Sequence, residues 1–198
     1  MPNYYHELPE GYKVAKVVDA KEDKKFAFWM NFWAAIIMIV TIVSLFFIKK
    51  IDLFASIESE EELIKLLIFL LGYLVIYIIY IIGHELVHGI AYKALTKQKL
   101  TFGLTATVAF CGVPNIYTTR KTSLIALLSP FITFTLIFIP LLILMPANIY
   151  GFLVIILFAG HFGGCSGDLY CTYLLLFKLP KNTLINDTGP KQTFYVVE

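Results

Sequence analysis

Residues 63–95 read LIKLLIFLLGYLVIYIIYIIGHELVHGIAYKAL. The first two-thirds of this stretch is almost continuous hydrocarbon. A helix needs about 20 apolar residues to cross a bilayer, and the run supplies them between Lys65 and Lys93. Its last third then places His84, Glu85 and His88 on the same segment. An ionised side chain in a membrane helix costs on the order of 2.5–3.5 kcal/mol. Three titratable groups so placed need partners, a function, or both.

The rest of the chain has the same character. It has 198 residues, 59% of them hydrophobic and 15% charged, against about 45–50% and about 25% in a soluble domain. These values predict one integral membrane domain over 1–198, with an N-terminal tail at 1–25 and a C-terminal tail at 178–198. A net charge of +2 offers no strongly basic face, so nucleic acid is not an expected partner. The three cysteines, Cys111, Cys165 and Cys171, lack CxxC spacing and read as small packing residues rather than a disulfide framework. The first 25 residues are polar, with no apolar stretch of the kind a cleavable signal peptide carries.

Four spans are expected, at about 27–48, 63–95, 121–145 and 149–177. Trp29 and Trp33 suit an interfacial aromatic belt near the start of the first. Ser59 with Glu62 fits a capping box opening the second. Pro130 and Pro140 fall inside or near the ends of the third. Between spans two and three, LTFGLTATVAFCGVPNIYTTR (100–120) is too short and interrupted to span. Its Thr, Val, Phe and Tyr content predicts extended strands with a turn, although a plain surface loop has the same composition. The fold class expected is an all-α membrane protein with about four transmembrane helices and a short β-like connector. The C-terminal tail should end in a short strand. Thirteen of the sixteen Lys and Arg lie in the N-tail, the 93–121 connector and the C-tail, which four spans put on one side. Positive residues favour the cytoplasm, so both termini of this multi-pass cell-membrane protein should be cytoplasmic.

His84 and His88 stand four residues apart, one above the other on a helix face. Two imidazoles so placed can grip one zinc ion. Glu85 lies about 100° round the helix, beside the metal rather than on it. There it can take a proton from a water whose pKa the metal lowers to about 7. This is the HExxH arrangement; the alternative is a hydrogen-bonded polar cluster. A catalytic zinc usually has a third protein ligand. The fourth span offers His161 and Asp168 within FAGHFGGCSGDLYC (158–171). His84 lies nine residues before Lys93, and Asp168 ten before Lys178. At about 1.5 Å per residue both sit roughly 14–15 Å from the basic ends of their spans. His161 should lie about 10 Å deeper than Asp168, which makes it the weaker candidate, behind the site or simply in the core. The glycines between them suit close helix packing.

With GHELVHG on one membrane helix and GGCSGDL on a later one, the chain resembles a bacterial family of membrane-embedded zincin peptidases. HELPEGYK near the start, LSP at 128–130 and LPKNTLINDTG near the end extend the resemblance over nearly the whole chain. The resemblance implies His84, His88 and Asp168 as zinc ligands and Glu85 as catalytic base. The family commonly has Asn where this chain has His161. More distantly, the layout is similar to site-two proteases, although their Asn-Pro-Asp-Gly motif is replaced here by SGD. The expected function is hydrolysis of peptide bonds near the cytoplasmic side of the bilayer, in a peptide or membrane-protein substrate bound by strand addition at 100–118. The alternative is a zinc-binding membrane scaffold that cleaves nothing.

Overall fold

The structure, a computed structural model, describes residues 2–53, 59–104 and 109–197. Its elements in chain order are β1 (Tyr4–Tyr5), β2 (Tyr12–Asp19), α1 (Lys24–Lys49), α2 (Glu60–Thr96), β3 (Thr101–Leu104), β4 (Ala109–Gly112), β5 (Tyr117–Thr119), α3 (Arg120–Leu144), α4 (Ile149–Gly164), α5 (Ser166–Tyr173), β6 (Leu184–Asp187) and β7 (Lys191–Val197). One π-helical turn, Leu174–Lys178, follows α5.

Four helical segments are long and apolar enough to cross a membrane: α1, α2, α3 and the combined stretch Ile149–Lys178. Polar side chains cap the starts of three of them. Asp23 accepts the Phe26 N–H at 2.9 Å, Ser59 accepts the Glu62 N–H at 3.3 Å, and Asn148 accepts from Tyr150 at 3.1 Å and Gly151 at 3.4 Å. α1 buries no residue fully and exposes Phe28, Trp29 and Trp33. Such a surface suits lipid, whose tails are as apolar as leucine.

The expected fourth helix is broken. α4 and α5 meet at Cys165, whose ψ of 0° bends the path while its N–H still reaches His161 O at 3.0 Å. Just before the bend, a Cβ on Gly163 would lie 2.9 Å from the Ala34 carbonyl oxygen of α1. The two backbones touch there, and only glycine permits it.

The all-α expectation fails outside the four spans. A five-stranded antiparallel sheet has the order β1-β5-β6-β7-β2. β2 pairs with β7 from Tyr12↔Val197 to Asp19↔Lys191, with a bulge between Val14 and Lys16. The N-tail reads as merely polar because its partner lies at the far end of the chain. A strand takes its stability from cross-strand pairs, and such non-local pairs leave no local signature. The C-tail forms two strands where one was expected. Within 100–118, β3 and β4 form a hairpin in register Thr101↔Gly112 to Leu104↔Ala109. Residues 105–108 of the expected strand-and-turn lie outside the described residues.

Val18, Ile185 and Phe194 of the sheet pack on Leu127, Cys171, Leu174 and Leu175 of the bundle. Val113 and Ile116 pack on Tyr92 and Ala126. The N-tail, connector and C-tail therefore gather at one end of the helices, where α2, α3 and α5 converge.

Candidate metal centre

His84 and His88 are both buried on α2. Asp168, in the first turn of α5, points its Oδ2 between them. That oxygen lies 3.3 Å from His84 Nε2 and 3.4 Å from His88 Nε2, and the three donor atoms all fall within 4.8 Å of one another. The structure thus brings His84, His88 and Asp168 to one point, at the common depth their positions in the spans predict.

A proline explains how His88 is held. Pro130 sits inside α3 and has no N–H to give to the carbonyl four residues back. That carbonyl is Ala126, and it accepts the His88 Nδ1–H at 2.8 Å. Ser129 donates to the same oxygen at 2.8 Å. A carbonyl only accepts, so the proton of a neutral His88 ring is on Nδ1, and Nε2 turns a bare lone pair toward Asp168. Metal-binding histidines are commonly oriented by such a backbone acceptor.

This geometry fits a metal ion. A bare imidazole nitrogen and a carboxylate oxygen facing each other repel unless a metal ion or a proton lies between them. Ligands on a tetrahedral ion with bonds of about 2.0–2.1 Å stand about 3.3–3.4 Å apart, the spacing found between Asp168 and each histidine. Two nitrogens and one oxygen match the three-ligand sets of catalytic zinc, which leave one position open.

Glu85 points into the same space without joining the cluster. Its carboxylate lies near the backbone N–H of Cys111 on β4. A cavity of about 180 Å³ opens over the site, lined by His84, Glu85, His88, Asp168, Tyr92 and Asp187 among others. Burial pushes the Cys111 thiol up to about 12, which leaves it an inert wall group.

Several contributors escape the sequence reading. Asp187 is 2% exposed and joins three elements. Its Oδ2 accepts the Tyr92 hydroxyl at 2.6 Å, its Oδ1 accepts the Gly189 N–H at 2.8 Å, and its carbonyl accepts the Val113 N–H at 2.8 Å. Gly189, at φ +99°, turns the chain into β7. The sequence D-T-G signals that turn, but nothing local signals the tyrosine. Tyr80 is a second omission. Its hydroxyl lies 3.0 Å from His161 Nδ1 and 3.4 Å from His84 Nδ1. His161 Nε2 meets Thr135 Oγ1 at 3.1 Å, and Phe131, Phe138 and Phe158 ring it. His161 therefore stands behind His84, one hydroxyl removed from the His-His-Asp cluster. Cys165 lies 3.6 Å from His161 Nδ1. His84, His161 and Cys165 make a second cluster of metal-capable atoms, but Tyr80 already bridges its two imidazoles. All three cysteines are free and buried.

The fold and the cluster together give a chain with four helices long and apolar enough to cross a membrane and a candidate metal centre at one end of its bundle. A family model described as "Putative zincin peptidase" matches residues 76–184, more than half of the chain, and the protein belongs to that family. The matched segment includes His84, Glu85, His88 and Asp168. Comparison with curated proteins and with solved structures gave no match, so the likeness to site-two proteases rests on sequence layout alone.

Proposed function

We propose that this protein is a zinc-dependent membrane peptidase that hydrolyses peptide bonds near the cytoplasmic side of the bilayer. The observation that carries the reading is the convergence of His84 Nε2 and His88 Nε2 on Asp168 Oδ2, with a separate carboxylate, Glu85, facing the same cavity. His84, His88 and Asp168 would hold the ion. When bound, zinc supplies a Lewis acid that polarises the scissile carbonyl and makes a water acidic enough to lose its proton near neutral pH.

The chain's own groups do the rest. Glu85 takes a proton from the attacking water and passes it to the amide nitrogen as the C–N bond breaks, leaving a carboxylic acid and an amine. The Cys111 N–H beside Glu85 helps to position its carboxylate. The Ala126 carbonyl keeps His88 in the tautomer that presents Nε2. β3 pairs only with β4 among the described strands, so its outer edge is free for an extended substrate to add to. Both termini are taken to be cytoplasmic, because thirteen Lys and Arg lie in the three segments that gather at the site end and three elsewhere.

Glu85→Gln tests the reading. It leaves both histidines and Asp168, so zinc content should hold, while the rate falls by about 10²–10⁴ with the loss of proton transfer. Cleavage at the wild-type rate would remove Glu85 from the mechanism. A wild-type protein that keeps zinc yet cleaves no peptide of its own membrane would be a scaffold instead.

A further inference from the structure

A second cavity meets the first at Glu85. It measures about 500 Å³ and runs along the seam between α1 and α2. His84, Glu85, Ala109, Gly164 and Gly167 line both cavities. Their far ends differ. The first extends among Ala20, Pro190 and Gln192, beside the sheet. The second extends among Met30, Ala35 and Met38, within the apolar span of α1. The seam exists because α1 lies along α4 and α5, whereas α2 lies along α3.

Two details show that this groove is more than loose packing. Gly167 has nothing within 4 Å of where a Cβ would stand. No neighbour demands a glycine there, and its lack of a side chain leaves the junction of the cavities open. Asn31, on the α1 wall, has an amide with no hydrogen-bond partner among the described residues. An amide on an apolar wall is costly unless something partners it.

We propose that the substrate reaches Glu85 from within the bilayer, as an apolar membrane-embedded segment of another protein that enters through the α1–α2 seam and unwinds beside Asn31. The proposal rests on the peptidase reading above and names the substrate class and its route. A scissile peptide must leave its helix to be attacked, and unwinding frees its N–H and C=O groups in a place without water. Asn31 supplies one donor group and one acceptor to such a backbone. A lipid tail filling the groove has no use for that amide. Water reaches Glu85 separately, through the cavity beside the sheet. The two reactants thus arrive from opposite phases and meet at the one carboxylate both cavities share.

The test needs no turnover. The full chain carrying Glu85→Gln is reconstituted in phosphatidylethanolamine–phosphatidylglycerol vesicles. The probe is a synthetic single-span peptide of leucine and alanine, with a central Asn-Gly pair to weaken its helix and a photoreactive leucine beside it. Adducts are mapped by mass spectrometry. They should concentrate on Met30, Ala35 and Met38, and Ala35→Trp should cut them about tenfold or more. Trp at Ile39, which is 56% exposed, should leave them unchanged. Asn31→Leu, which keeps the shape of the wall, should also lower them. Adducts spread evenly over the exposed leucines of α2 and α3, or unmoved by both groove variants, overturn the route. Groove adducts with no cleavage by the wild type leave the route standing and remove the peptidase reading. Cleavage of a soluble peptide without groove adducts does the reverse.

Discussion

The two halves of α2 follow opposite rules. From Leu63 to Ile79 the helix turns leucine, isoleucine and valine outward, and Leu66 is the one residue there that is fully buried among those described. From Tyr80 to Thr96 it buries Tyr80, His84, His88, Gly89, Tyr92 and Thr96. Five of those six are polar, and they recur every four residues. Side chains spaced by four form one ridge along a helix, so the inner half presents a polar ladder to the protein while its outer half leaves hydrocarbon exposed. In a membrane an apolar face needs no partner, but every buried polar group does. Each rung has one: Tyr80 with His161, His84 with Asp168, His88 with the Ala126 carbonyl, Tyr92 with Asp187, and Thr96 with the Tyr92 carbonyl at 2.7 Å. Predictions that remove partners rung by rung should therefore have graded effects, and the outer half should have almost none.

The largest effect belongs to Asp168, which serves two rungs at once. Asp168→Ala should lower zinc affinity by more than the about 10–100-fold that outer partners of metal ligands are worth, with the spans still inserted. His161→Ala should stay within that range, because it reaches His84 only through Tyr80. Zinc measured on the purified variants decides this. Full zinc without Asp168 and none without His161 would transfer the third-ligand role to the His161–Cys165 cluster.

Asp187 comes next. Burial, the largest influence on it, pushes its carboxyl up to about 6 despite the Tyr92 and Gly189 hydrogen bonds. An acid raised in the folded state binds a proton there more readily than when unfolded, so stability falls as pH rises through that window. For protein stripped of metal, the fall between pH 4 and 6 should approach about 3 kcal/mol, read from denaturation midpoints in detergent. Asp187→Asn should flatten that slope. An unchanged slope would mean that the Tyr92 rung is not held by a desolvated carboxylate.

Which parts of this were legible beforehand follows from the range of each interaction. His84, Glu85 and His88 are neighbours on one helix, so their relation is local. Asp168 is remote in sequence, yet depth within a span ties it to His84, because the bilayer fixes a common ruler. The four spans are equally plain, since twenty apolar residues admit few other fates. Tyr80, Tyr92 and Thr96 continue the same four-residue row and could have been added by extending it. The sheet could not. β2 meets β7 across nearly the whole chain, and its one fully buried side chain, Val18, has too little company to announce a strand. Asp187 escapes for the same reason: the turn it makes is local, whereas its carboxylate is used by a helix 95 residues away.

Pro130 should show a smaller effect than Asp187 and an unusual sign. Pro130→Ala restores an N–H to α3, and that N–H competes with His88 for the Ala126 carbonyl. The helix itself should gain stability, because proline is about 3 kcal/mol worse than alanine in a helix interior. Zinc affinity should nevertheless fall, by about 10–100-fold or 1.4–2.7 kcal/mol. Stability and metal affinity moving in opposite directions is the signature. A variant that lost both would point to packing around the proline ring instead.

The smallest effect is expected in the outer half of α2, and it is what makes the comparison breakable. Leu71 is 69% exposed. If that surface is lipid, shortening the side chain exchanges leucine methyl groups for acyl chain and opens no cavity, because lipid fills the space. Leu71→Ala should then change stability by less than about 0.5 kcal/mol, as for a surface site, and leave zinc content alone. A leucine truncated inside protein loses about 2–5 kcal/mol, so the two cases are well separated. A loss in that range would mean that the outer half is covered by a second copy or another chain. The contrast between the halves of α2 would then be one between two kinds of protein interface, rather than between protein and lipid.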